Sequence, residues 1–225
     1  MFLLNSLLIF CGTEVLNGKM KIKVYVFSVD LPGDLPAGRK AGMVSDAGHK
    51  LVREQLGSMT GEDFNCRPFS FGPSGKPFFS GCELQFSISH KGNTVAAAFS
   101  PYEVGVDIEE AGEFSRRVAD RVFTACERQY FYAARHADER NIRGYSVWTA
   151  KEAYLKLNGT GIAGGLGFDT ANEQGLLPVI ASEKYPPARL YTRRLKREDA
   201  CEEGWTWVLS VCSREEAEIE ILYIN

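Results

Sequence analysis

Asp107 and Glu109 stand one residue apart in the run Gly105-Val106-Asp107-Ile108-Glu109. If the run is a strand, alternation sends both carboxylates to one face and Val106 and Ile108 to the other. Adjacent carboxylates repel, and a hard cation between them removes the repulsion; Mg²⁺ favours one or two carboxylates together with phosphate oxygens and water. The plain alternative is a half-buried strand with a solvated acidic face. A second group lies in Trp148-Thr149-Ala150-Lys151-Glu152-Ala153-Tyr154-Leu155-Lys156, where helical spacing puts Glu152 and Lys156 on one side. Taken alone, that pair is best explained as a solvated ion pair worth about 0.3–0.5 kcal/mol.

The third group is Gly75-Lys76-Pro77 with Phe86-Ser87-Ile88-Ser89-His90-Lys91. It offers positive charge and hydrogen-bond donors but no metal-binding geometry. The chain has three histidines, His49, His90 and His136. Ser89-His90 is no hydrolase signature, because strand neighbours point to opposite faces and no GxSxG elbow is present.

The elements that must hold these groups can be read from periodicity. Residues 22–29 form a β-branched and aromatic strand, followed by loop chemistry in PGDLPAGRKAG, and residues 46–57 read as a short helix capped by Asp46. Segments 84–90, 94–100 and 104–110 suggest three strands in an antiparallel meander. From Ser115 to Leu157 the pattern is helical, with a break near Asn141–Gly144 separating two helices and a capping box at Thr124 and Glu127. GFDT, ARLYTRR, WTWVLSVCS and IEILYIN are strand-like, and Arg193, Arg194, Lys196 and Arg197 make a basic turn expected to be solvated. The order of elements predicts an α+β chain of mostly antiparallel sheets with helices packed on them, without the alternation of a doubly wound parallel sheet.

A chain of 225 residues with 44% apolar content can bury a sizeable core. The 26 basic and 29 acidic residues leave a net charge of -3, which argues against a general nucleic-acid binder and makes any phosphate site local. Six cysteines without CxxC or zinc spacing read as reduced thiols of a cytoplasmic protein. Met1–Cys11 is almost wholly apolar, too short to span a bilayer and without the basic residues of a signal peptide. It reads as an atypical leader, as a segment docked on the domain, or as residues upstream of a start at Met20; no membrane association is expected.

In the order GKP, FSISH, GVDIE and WTAKEAYLK, the four motifs resemble the 4′-phosphopantetheinyl transferase superfamily, and their spacing is similar to its Sfp-type, two-half members. The resemblance covers residues 20–225 and leaves 1–19 as an extension. It implies two similar α+β halves, 20–104 and 105–225, related by a pseudo-twofold axis in a monomer, with coenzyme A in the cleft between them. The implied reaction transfers phosphopantetheine to a serine of an apo acyl or peptidyl carrier protein. The same resemblance implies Asp107, Glu109 and Glu152 as Mg²⁺ ligands, Lys76 and His90 as coenzyme A phosphate contacts, and Lys156 near the diphosphate. Ser89 and Pro77 fall where members touch the nucleotide, and Glu152, or a metal-bound water it orients, is the candidate base. The segment 31–45 is shorter than is usual in Sfp-type members, so Lys50, with Arg39 and Lys40, is expected to supply the basic contacts that a longer segment would carry. The rival reading keeps the fold but makes the chain a non-catalytic module that binds a carrier protein or coenzyme A.

Overall fold

The computed structural model describes residues 20–196 and 206–224. Met1–Lys19 with Cys11, Arg197 of the basic turn, and Cys201 lie outside the described residues. The expected mixture of helix and antiparallel sheet is present.

Alternation drives the first strand. In β1 (Met20–Ser28), Ile22, Val24 and Val26 are buried and the intervening residues are half-buried. α1 (Ala37–Thr60) follows, then the small hairpin of β2 (Ser70–Phe71) and β3 (Pro77–Phe78). Next come β4 (Gln85–Lys91), β5 (Thr94–Ser100) and β6 (Val104–Ala111). Three helices succeed them: α2 (Arg116–Val122), α3 (Ala125–Tyr132) and α4 (Ala137–Leu157). Short strands β7 (Ala171–Asn172), β8 (Gly175–Leu176) and β9 (Val179–Ile180) lead to β10 (Ala188–Lys196), β11 (Thr206–Ser213) and β12 (Ala217–Tyr223).

Two four-stranded sheets organise the molecule, in the orders β12-β1-β5-β4 and β6-β11-β10-β9. Ile22, Val24 and Val26 of the first pack with Val106, Ile108, Leu209 and Val211 of the second in one shared core. α1 lies on β4 and β5, and α4 lies on β6 and β11. The last strand returns to the first sheet, pairing in parallel with β1 from Met20↔Ala217 to Val26↔Tyr223.

Four sequence expectations are corrected. β4 and β5 form the expected hairpin, but β6 leaves the meander and pairs with β11, because its buried face feeds the core between the sheets and β11 supplies its ladder. The first helix begins at Ala37, not Asp46: Pro36 suits a helix start, and its carbonyl accepts from the amides of Arg39 and Lys40. Residues 115–157 form three helices, and Asn141–Gly144 is the interior of α4, not a break. Gly144 is there for packing, since a Cβ at that position would lie 2.5 Å from the Phe114 ring and 2.9 Å from that of Phe131. GFDT is not a strand.

Candidate active site

β6 and α4 meet without side chains between them at Gly105, and this contact places the next odd-numbered residues of β6 beside α4. Asp107 is buried. Its Oδ1 accepts from Lys156 Nζ of α4 at 2.7 Å and from Ser89 Oγ of β4 at 2.7 Å. Its Oδ2 is buried without a hydrogen-bond partner. Such an atom pays the full desolvation penalty of a charged group unless something in the functional state satisfies it.

Glu109, two residues on, lies 2.6 Å from Lys91 Nζ at the end of β4 through its Oε2, a contact of opposite charges without hydrogen-bond alignment. The Lys91 ammonium is held above its usual pKa, chiefly by Glu109. Glu152 is half-buried on α4. Burial raises its carboxyl pKa first, the charges of Asp107 and Glu109 raise it further, and Lys156 opposes them. The three acids are therefore electrostatic neighbours. Among the described residues, however, no three His, Cys, Asp or Glu groups form an array that could hold a metal ion as it stands. The solvated Glu152–Lys156 pair is replaced by a cross-element bond, since Lys156 reaches Asp107 instead.

The remaining residues from the sequence divide between two regions. Lys76 and Pro77 line a cavity of about 400 Å³ with Gly72, Glu103, Leu157 and Gly159. Lys76 Nζ donates to Val104 O at 3.0 Å and Leu157 O at 3.3 Å, and burial lowers its pKa to about 8. His90 is exposed on β4 and close enough to His49 of α1 for its charge to be felt there. Lys50 is exposed on α1, 3.7 Å from Glu54. Asp107, Glu109 and Glu152 line neither this cavity nor a second one of about 720 Å³ bounded by Arg117, Arg121, Phe123, Trp148 and Ile162.

A family model described as the 4′-phosphopantetheinyl transferase superfamily matches residues 103–195, which include β6, α4 and the four acid and lysine positions on them. Over these residues the chain is similar to that superfamily. Among named relatives, the 4′-phosphopantetheinyl transferase psf-1 of Bacillus pumilus is 28% identical over 176 residues, covering 77% of this chain and 72% of that protein. The transferase ffp of Bacillus subtilis is 33% identical over 129 residues, covering 55% of this chain and 56% of its own length. Sfp of Bacillus subtilis strain 168 is 32% identical over 117 residues, 52% of each chain.

Several polar residues of this transferase had no visible role in the sequence. Glu127 makes the expected capping box with Thr124, and in addition its fully buried carboxylate meets the fully buried Lys151 Nζ at 2.9 Å. Lys151 also donates to Leu166 O at 2.7 Å and Phe168 O at 2.6 Å, while Glu127 accepts from the Thr170 amide at 2.8 Å. The only available signal was a lysine at a helix position whose neighbours Ala150, Ala153 and Tyr154 are apolar. Ser210 sits opposite Asp107 on β11 and bonds to Thr149 at 2.8 Å and Thr192 at 2.9 Å, forming a hydroxyl chain under the site.

Proposed function

We propose that this transferase moves the 4′-phosphopantetheine of coenzyme A to a serine of an apo acyl or peptidyl carrier protein, releasing adenosine 3′,5′-bisphosphate. The observation that carries the proposal is the meeting of β6 and α4: an unpaired buried Asp107 oxygen, a lysine 2.7 Å from its partner oxygen, and a second carboxyl whose pKa is raised first by burial and then by neighbouring acids.

Asp107, Glu109 and Glu152 are the residues that would hold Mg²⁺; the donor set is all oxygen and anionic, and Asp107 Oδ2 lacks any other partner. When bound, the ion would supply neutralisation of charge developing on a cleaved diphosphate. Lys156 carries a fixed positive charge to the same place and orients Asp107. Ser89 holds Asp107 from the other side. We assign Glu152, directly or through a water it orients, to accept the proton of an incoming serine hydroxyl, a role that contributes typically about 10²–10⁴-fold.

We assign Lys76, His90 and Lys50 to the phosphates of coenzyme A and Pro77 and Ser89 to its nucleotide; Lys76 and Pro77 line the same cavity. A cytoplasmic monomer is the form in which we expect it to act. No helix among the described residues is long and apolar enough to cross a membrane.

Incubation with coenzyme A, Mg²⁺ and a panel of apo acyl and peptidyl carriers should add a phosphopantetheine mass to at least one of them. Binding of coenzyme A or carrier without any mass gain across the panel would favour the non-catalytic module. Asp107→Asn keeps the shape and loses the charge, so it should lower transfer by at least about 10²-fold while leaving the circular dichroism spectrum unchanged.

A further inference from the structure

Both carboxylates of β6 already carry a cation, but the two cations are held differently. Lys156 Nζ makes an aligned hydrogen bond to Asp107 Oδ1 and is 29% exposed. Lys91 Nζ approaches Glu109 Oε2 to 2.6 Å without such alignment and is 48% exposed, whereas Glu109 is 17% exposed. Lys91 ends β4 and is followed by the Gly92-Asn93 turn, so its ammonium can move into water with no change in the strand. Glu109 is carried in the β6–β11 ladder and stays where it is.

We propose that Lys91 is a tethered counter-ion of Glu109 that must be displaced when a divalent cation binds, and that it thereby sets the affinity of the site for that cation. This rests on the reading that Asp107, Glu109 and Glu152 hold Mg²⁺. Three acids and two lysines leave the cluster with a formal charge of -1 when all five are ionised. Adding a divalent cation while both lysines remain in contact would set three cationic centres against the three carboxylates and turn the formal charge from -1 to +1. One lysine has to yield, and the more exposed, unaligned Lys91 is the one that can. Once displaced it stays on the rim of the site, where the next anion to arrive is the substrate phosphate. A purely structural role, pinning the edge of one sheet to the other, predicts a different outcome: lower stability on removal and unchanged cation affinity.

The test is isothermal titration of the full chain with Mg²⁺ alone, comparing wild type with Lys91→Met, Lys91→Arg and Lys50→Met. Lys91→Met should bind Mg²⁺ about three- to fivefold more tightly, the range set by a partly exposed ion pair. Lys91→Arg should stay near wild type, and Lys50→Met, which removes an equal charge at a distance, should not move. In a lysine-selective ¹⁵N spectrum the Lys91 Nζ resonance should shift on saturation with Mg²⁺. Equal Mg²⁺ affinity in wild type and Lys91→Met, an equal gain in Lys50→Met, or an unmoved Lys91 resonance would each overturn the counter-ion role and leave the transferase reading intact. Absence of Mg²⁺ binding in every protein, with carrier modification persisting in EDTA, would remove the metal reading and this inference with it.

Discussion

Replacing Gly105 by alanine tests the contact on which the whole site geometry depends. A Cβ at this position would lie 2.0 Å from Ala153 O, 2.4 Å from Leu157 N and 3.0 Å from Leu157 Cα. All three are backbone atoms of α4, so no rotamer change can make room, and ordinary contact requires strand and helix to separate by more than about 1 Å. Over-packing in cores costs about 1–3 kcal/mol and occasionally more. With rigid backbone on both sides, the upper end, about 3 kcal/mol, is expected here. In a chain of this size each kcal/mol lowers Tm by about 2–4 °C, giving a fall of about 6–12 °C. The displacement also reaches the chemistry: Asp107 is two residues along the same strand face, and Lys156 adjoins Leu157, so the 2.7 Å Asp107–Lys156 bond must lengthen. Urea denaturation should show a lower midpoint at unchanged m-value, with carrier modification reduced even at temperatures where the variant is folded. A variant whose Tm stays within about 2 °C of wild type would show that strand and helix are not in this direct contact.

Further expectations follow from the buried charges and from the chain's return path. Lys151→Met leaves the Glu127 carboxylate unpaired in the interior and should cost about 3–5 kcal/mol in urea unfolding; adding Glu127→Gln should restore part of it. Lys76 has a folded-state pKa near 8 against 10.5 for the free side chain, so between these values the unfolded chain binds a proton that the folded chain has released. Unfolding free energy should therefore gain from this group as pH rises from 8 to 10.5, and Lys76→Met should flatten that gain; a wild-type curve without the rise would mean that Lys76 is more hydrated than its burial indicates. Truncation before Ala217 removes the parallel partners of Met20 to Val26 and should abolish cooperative thermal unfolding.

Which parts of this were legible in the sequence depends on whether local pattern or distant packing decided the outcome. β1, β4 and β6 were readable because apolar residues recur at every second position, β5 because it is a short apolar run bounded by turns, and the Thr124–Glu127 capping box because both partners lie within one turn. The three acids and Lys156 could be singled out by spacing, but their mutual placement could not. Alternation put Asp107 and Glu109 on one face, yet only the bare backbone at Gly105 brings α4 down onto that face. The partner of β6 was misjudged because short connections favour pairing of sequential strands, and here the preference lost to burial of Val104, Val106 and Ile108 between two sheets. Gly144 resembled a helix break since glycine has poor helix propensity, a local cost outweighed by the Phe114 and Phe131 rings that need its missing side chain. The Lys151–Glu127 pair was hidden for a similar reason: an i,i+1 neighbour of Glu152 reads as one more exposed charge until the loop at 166–170 is seen to close over it.

The conjunction of the FSISHK and GVDIE motifs has its own physical logic. β4 is the edge of one sheet and β6 the edge of the other, and no ladder joins them. Every second residue of β4 points at β6 instead: Ser87 Oγ accepts from the Val106 amide at 3.1 Å, Ser89 Oγ donates to Asp107 at 2.7 Å, and Lys91 meets Glu109 at 2.6 Å. Side chains at period two thus do between the sheets what backbone groups do within one. A short hydroxyl suffices where the strands are close, and the long Lys91 side chain spans the gap to Glu109 where the chain turns away at Gly92. The same residues that close the edge of β6 therefore touch its acids, so the sheet-to-sheet seam and the acidic site are one structure. Substituting Ser87 should weaken the seam alone, whereas substituting Ser89 also removes a hydrogen bond from Asp107.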